Sequence, residues 1–344
     1  MLRTLLVSFL VLGLLTLTAS AACSEPSTEA KAEDRSSEDV RKPPTPAVPI
    51  DKGGSLIGSG RIVIEPAVSY STFSREKVSI SGFTIFEAIL IGRINVGRIN
   101  RHIFSPSLTL RYGLKDLELS GKLPYMLRTD DEAFPAGDGT SHFSATDSEL
   151  GDVEGAAFYH LLSEGGTRPD VVVGVTGKTI TGRDPYGLRK KNIKNSQPRL
   201  LEFPTGSGHW GIAGTIIFVK TSDPAVLFFN TSYYYNFARN IGQGSSVGYG
   251  DIKPGDSAEY SFGLVLGLNE KLAANFSLSQ RITWDSSRNG KKQRDSGADS
   301  AQANFGWTYA FSRSLSLDVV AGLGLTEDAP DFTVGIRLPI TLFL

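Results

Sequence analysis

Apolar and polar residues alternate along twelve segments of this chain. Between Asn304 and Phe311 every second residue is aromatic, and between Thr333 and Leu342 every second residue is aliphatic. A period of two predicts β-strands with one apolar and one small or polar face. The pattern places strands near 61–72, 102–112, 116–128, 151–162, 169–182, 208–220, 224–237, 258–268, 271–285, 300–311, 314–325 and 331–344.

The connections between these segments alternate in length. Five connections are short turns, at 113–115, 163–168, 221–223, 269–270 and 312–313. They alternate with five long loops, at 73–101, 129–150, 183–207, 238–257 and 286–299. Only the connection 326–330 is short at a position where the alternation predicts a long loop. Short turns at one end and long loops at the other are typical of transmembrane β-barrels. The sequence therefore predicts an all-β fold, an antiparallel outer-membrane β-barrel of about twelve strands with both termini in the periplasm. Closure is expected because an open sheet edge in lipid leaves backbone groups unpaired.

The alternation also assigns an inside and an outside. In the third segment Leu119 and Leu123 share one face and Glu118 and Lys122 the other. In a membrane barrel the apolar face contacts lipid and the polar face lines the lumen. Leu278 is accordingly predicted to point outward and its neighbour Ser279 inward.

Before the first strand, the chain has the features of an exported protein. Arg3, the apolar run 5–17 and the small residues 19–21 predict a signal peptide over 1–22. Cys23 follows at once and is either a lipidation site or a bare thiol. Residues 23–60 are predicted to be a disordered periplasmic linker, since 24–50 has almost no large apolar residues. The barrel is expected over 61–344.

The long loop 77–100 is unusually apolar. Its members include the plug candidates Phe83, Phe86, Ile89 and Leu90. Short apolar runs are ambiguous, so a helix that plugs or caps the pore, an extra strand pair and a packed outer loop all stay open.

Composition narrows the functional classes. The 344-residue chain has a formal net charge of −1, which gives no net attraction to nucleic acid. One cysteine forms no internal disulfide, and four scattered histidines show no metal-ligand spacing. We therefore expect no metal, no cofactor and no nucleic-acid partner.

Two local motifs suggest catalysis but lack its context. Residues 174–179 resemble a nucleotide-binding loop that is too short and has no predicted helix after it. His142 and Ser144 have the His-x-Ser spacing of outer-membrane phospholipases, yet no residue at the expected distance would orient the histidine. The sequence therefore predicts no enzyme.

Charged residues on the predicted inner face are the main polar signal. They are Arg61, Glu65, Arg111, Glu118, Lys122, Glu154, Lys178, Arg281, Asp318 and Arg337. Such a lining either holds water and solutes or forms ion pairs that close the barrel. The outer loops also separate charge: 130–149 is acidic, whereas 183–199 and 288–294 are basic. The expected partners are outer-membrane lipid, lipopolysaccharide, a solute or secreted polypeptide, and further copies of the chain in a homo-oligomer.

Several strings resemble a known family. They are 79–92, 111–114, 123–125, 203–208, 222–226 and 324–331. They are similar to the outer-membrane channel of bacterial functional-amyloid secretion, and to the broader phenol-degradation MetA-pathway-like outer-membrane transporters. The resemblance implies a twelve-stranded barrel with a plug and a role in secretion or transport. It carries no functional residues, and the periplasmic coiled coil of the amyloid channels has no counterpart in 24–50.

These observations favour an outer-membrane channel, either secretion-type or passive. A closed barrel with an adhesive or structural role is the alternative, and a lipid-hydrolysing barrel is the third.

Overall fold

The computed structural model describes residues 56–74, 99–136, 139–191, 199–242 and 250–344. The predicted signal peptide, Cys23, most of the linker and residues 77–98 with the plug candidates lie outside the described residues. No helix in the described part of the chain is long and apolar enough to cross a membrane.

The described chain forms a closed antiparallel β-barrel. The barrel strands are β1 (Arg61–Phe73), β2 (Ile99–Gly113), β3 (Leu117–Ala136), β4 (Gly139–Leu150), β5 (Glu154–Leu162), β6 (Asp170–Lys178), β9 (Gly211–Ser222), β10 (Ala225–Asn236), β13 (Ser257–Gly267), β14 (Leu272–Thr283), β17 (Ala298–Ala310), β18 (Ser316–Gly324), β19 (Phe332–Arg337) and β20 (Ile340–Phe343). They make twelve wall strands, because β4 with β5 and β19 with β20 each form one interrupted strand. The wall closes because β1 pairs with β2 on one side and with β19 and β20 on the other.

Two wall strands are interrupted. β4 and β5 both pair with β3, but the register shifts by one residue between the pairs Tyr125–Leu150 and Lys122–Glu154. The extra residue lies between β4 and β5 and forms a β-bulge opposite β3. Because of it, odd-numbered side chains face inward in β4 and even-numbered ones in β5. β19 and β20 keep one common register against β1, and their interruption contains Pro339, which has no N–H to donate.

Side chains alternate across the wall as predicted. Leu108, Leu110 and Tyr112 are exposed on the outer surface, whereas Glu65 and Glu118 on neighbouring strands are buried. The short turns and the C-terminus lie at one end of the barrel, which we call the short-turn end. The other end, the long-loop end, carries the longer connections.

The predicted strands agree with most of the observed ones to within a few residues, but four predicted loops contain more structure than expected. Residues 129–150 are mostly the paired ends of β3 and β4, linked across the hairpin by Thr129 Oγ1 and Thr146 Oγ1 at 2.9 Å. Outside the lipid-facing band of the barrel, a strand does not require an apolar face. Alternation of apolar and polar residues therefore does not predict these strand ends. The other long loops add the strands β7 (Lys190–Lys191), β8 (Arg199–Leu200), β11 (Arg239–Ile241), β12 (Gly250–Lys253), β15 (Ser287–Arg288) and β16 (Lys291–Lys292).

Candidate functional site: the barrel interior

A row of five buried charges crosses adjacent strands near the short-turn end. In order across β3, β2, β1, β19 and β18, they are Glu118, Arg111, Glu65, Arg337 and Asp318. The separations between consecutive partners are 2.7, 3.9, 3.8 and 3.7 Å. The signs alternate, so each cation lies between two carboxylates.

Removing a member of this row would be costly. Its carboxylates are almost fully buried, with side-chain exposures of 2% for Glu118 and Asp318. A buried charge that loses its partner destabilises a protein by roughly 3–5 kcal/mol. At this end, five of the charges assigned to the inner face form a connected row of ion pairs.

The opposite wall is apolar at the same end. A cluster of buried side chains points inward there, consisting of Val172, Ile217, Val219, Phe228, Val265 and Ala273. These residues come from β6, β9, β10, β13 and β14, and the sequence analysis did not single them out. The available signal was the continuous apolar run in β10 at 225–229, since a strand that is apolar on both faces has no polar lumen face.

The segment before β1 spans the space between the two walls. Leu56 packs against the apolar cluster, and the Ile57 backbone N–H donates to Glu118 Oε2 at 3.0 Å. The fit is tight, because a Cβ atom on Gly113 would lie 2.3 Å from the Gly58 carbonyl oxygen. Leu56–Gly58 therefore occupies the interior at the short-turn end.

The middle of the barrel is lined by small polar side chains. Those facing inward at mid-strand include Ser69, Ser107, Thr109, Ser120, Thr215, Ser232, Ser261, Ser279 and Asn304. Two pairs bond to each other, Thr215 with Ser232 at 2.9 Å and Asn304 with Ser279 at 3.4 Å. Among the described residues, the inward side chains are shorter here than in the five-charge row or the apolar cluster.

Two predicted charges, Lys122 and Glu154, lie at this middle level, and a third, Arg281, lies just above it. Lys122 and Glu154 face each other across β3 and β5 and are half-buried. The guanidinium of Arg281 donates to Glu259, which also accepts from Tyr234, and Arg281 lies 4.5 Å from the Tyr234 ring centroid.

Lys178 does not line an open lumen but is covered by a loop. Its ammonium donates to Asp152 Oδ2 at 2.7 Å, to the His209 carbonyl oxygen at 2.7 Å and to Ser207 Oγ. Residues 203–209 are buried throughout, although the alternation places 203–207 at the end of an outer loop and 208–209 at the start of a strand. Gly206 permits this approach, because a Cβ there would lie 2.3 Å from Asp152 Oδ1.

Residues 203–209, which we call the covering loop, are held to neighbouring segments by hydrogen bonds of the neutral His209 side chain. Nδ1 lies 3.0 Å from the Phe237 carbonyl oxygen and so carries the proton, which leaves Nε2 to accept from the Tyr186 hydroxyl. Burial, with the nearby Lys178 and Arg239 cations, lowers the pKa of His209 from 6.5 to about 4. The imidazole thus stays uncharged at neutral pH.

Above this loop two arginines share one carboxylate. Arg101 and Arg128 both contact Asp130 Oδ2, at 2.8 and 2.6 Å, and Arg128 stacks on the Phe203 ring at 4.3 Å. The sequence pattern did not reveal this cluster, because Arg101 and Asp130 fall in the predicted loops 73–101 and 129–150, and only the pairing of β2 with β3 places them opposite each other.

The remaining predicted residues lie outside the interior. Arg61 is exposed at the short-turn rim beside Phe343. His142 and Ser144 are exposed on β4 on the opposite face to the inward-pointing Asp147. Residues 174–178 belong to β6, and the described chain after them, to 191, contains no helix.

Comparisons with known proteins agree with the fold. No family model matches the chain. An outer-membrane channel from Pseudomonas putida F1 has a TM-score of 0.56 at 14% identity, covering 83% of this chain and 97% of its own. The translocator domain of autotransporter NalP from Neisseria meningitidis is less similar, with a TM-score of 0.46 at 9% identity, covering 84% of this chain and 90% of its own. The toluene transporter TodX from Pseudomonas putida has a TM-score of 0.39 at 10% identity, covering 86% of this chain and 97% of its own.

Proposed function

We propose that this protein is a passive outer-membrane channel for small solutes. The observation that carries the proposal is the middle level of the interior, where small hydroxyl side chains and two charges face inward inside a closed wall. Hydroxyls that face each other across a barrel are hydrated in the absence of solute and can exchange that water for a polar solute.

The outer surface supports a place in the outer membrane. Exposed apolar side chains lie on the described wall strands other than β14, where they are half-buried, and aromatic residues such as Tyr112, Trp210, Trp284 and Phe311 lie near strand ends. Apolar bands with aromatic girdles are typical of outer-membrane barrels. In this orientation the short-turn end faces the periplasm, and the basic segments with exposed Lys191, Lys291 and Lys292 face lipopolysaccharide phosphates.

Secretion of a polypeptide is less well supported. An extended chain needs a clear path, but the short-turn end contains the row of five charges, the apolar cluster and Leu56–Gly58. At the long-loop end the buried residues 203–209 also lie inside the wall. A small solute needs much less rearrangement than a polypeptide does.

The same obstructions favour one second candidate, a closed barrel with a structural role. Catalysis is not proposed, because in the described part of β4 His142 and Ser144 are exposed on the face opposite the inward-pointing Asp147. Planar-bilayer recordings of the refolded protein separate the two candidates: we expect stable single-channel currents in 1 M KCl, and an inserted, folded protein that passes no current would reject the channel.

A further inference from the structure

Lys122 differs from the other cations of the interior. Arg111, Arg337, Lys178 and Arg281 each have a carboxylate oxygen within ion-pair distance. Lys122 has neither an ion pair nor a hydrogen bond to any described residue. Its side chain is only half-buried, so the ammonium remains open to the interior.

The carboxylate beside Lys122 forms no ion pair with it. Glu154 is its cross-strand neighbour, and it also interacts electrostatically with Lys178 and Arg281. Among the described residues, Lys122 therefore has no carboxylate oxygen within ion-pair distance. A lysine ammonium is a compact charge with three donors, suited to a single carboxylate.

The neighbours of Lys122 are hydroxyls. Thr109 faces it from β2, Ser107 lies one inward position further along that strand, and Ser120 is the adjacent inward residue of β3. Each hydroxyl can both donate and accept. An apolar solute would displace water from these groups without replacing its hydrogen bonds, which is unfavourable.

We propose that Lys122, with Thr109, Ser107 and Ser120, forms a subsite for the carboxylate of small hydroxylated monocarboxylic acids in transit. The inference rests on the proposed channel function and names its solute class. A single lysine next to Glu154 suits one negative charge, whereas phosphate groups are typically held by bidentate arginines or several cations. Neutral polyols would pass without using Lys122.

The test uses three-carbon solutes in one bilayer system. Reversal potentials in potassium lactate gradients give the permeability of lactate relative to potassium, and potassium chloride gradients give that of chloride. We expect Lys122→Met and Lys122→Gln to lower the relative permeability of lactate by about fivefold and that of chloride by less than twofold. Lys122→Arg should retain most of the lactate permeability.

Two controls accompany these variants. Lys292→Met removes an exposed cation from β16 and should leave both permeabilities unchanged. Swelling of liposomes in 1,2-propanediol, which has the lactate skeleton without the carboxylate, should not respond to Lys122→Met.

The outcomes separate the two proposals. A wild-type protein that conducts, with lactate permeability unchanged in both neutral variants, overturns the subsite and leaves the channel standing. Equal losses for lactate and chloride show general anion attraction and also overturn it. A folded, inserted wild type without any current overturns the channel, and the subsite with it.

Discussion

At the scale of single residues, the alternation in β14 yields a sharp prediction. Leu278 is on the outer face and Ser279 on the inner face of the same strand. Leu278→Arg should destabilise the barrel by roughly 2–4 kcal/mol, because it places a cation in lipid near the midplane. Ser279→Arg keeps its charge in the polar interior and should cost much less. Urea unfolding in lipid vesicles measures both; equal losses would show that the two faces are assigned wrongly.

At the scale of elements, the wall was predictable and the interior was not. Strand positions follow from period-two alternation, which lies within each segment of sequence. The burial of Lys178 depends on Asp152 and Ser207, which are 26 and 29 residues away and lie outside any strand. Folding of 203–209 into the barrel leaves no periodic signal, so the alternation assigned Lys178 to the polar face of its strand without indicating the loop that covers it.

The covering loop itself gives the second prediction. Asp152→Asn removes the charge that compensates Lys178 and weakens a side chain that also accepts from the Gly182 and Ser207 backbone N–H groups. We expect a loss of roughly 3–5 kcal/mol, as for other broken buried ion pairs, and faster proteolysis near 199–210.

Glu202→Gln is the matched control for that loop. It breaks the pair with Arg189, whose side chain is 78% exposed, and exposed pairs contribute about 0–1 kcal/mol. Should the two variants be cleaved at the same rate, Asp152 does not anchor the loop.

At the scale of the whole molecule, chain outside the wall strands occupies part of the interior at the short-turn end. The five-charge row and the apolar cluster line two halves of the short-turn end, and Leu56–Gly58 fills the space between them. The wall thus determines the lumen's size, while the segment before β1 determines how much of it is open at that end. Periodicity could predict the first but not the second, since 56–60 has no repeating pattern.

Gly113→Val tests whether Leu56–Gly58 determines how much of the lumen is open at the short-turn end. Its side chain would overlap the Gly58 carbonyl oxygen, which a Cβ alone would approach to 2.3 Å, so Leu56–Gly58 must move away from β2. We expect a higher single-channel conductance with little change in ion selectivity, because the wall charges remain. Gly121→Val on β3 is the control: no atom lies within 4 Å of its Cβ position, and its side chain would face lipid. If both variants conduct like the parent, Leu56–Gly58 does not limit the current, and the constriction lies with the charge row or the covering loop.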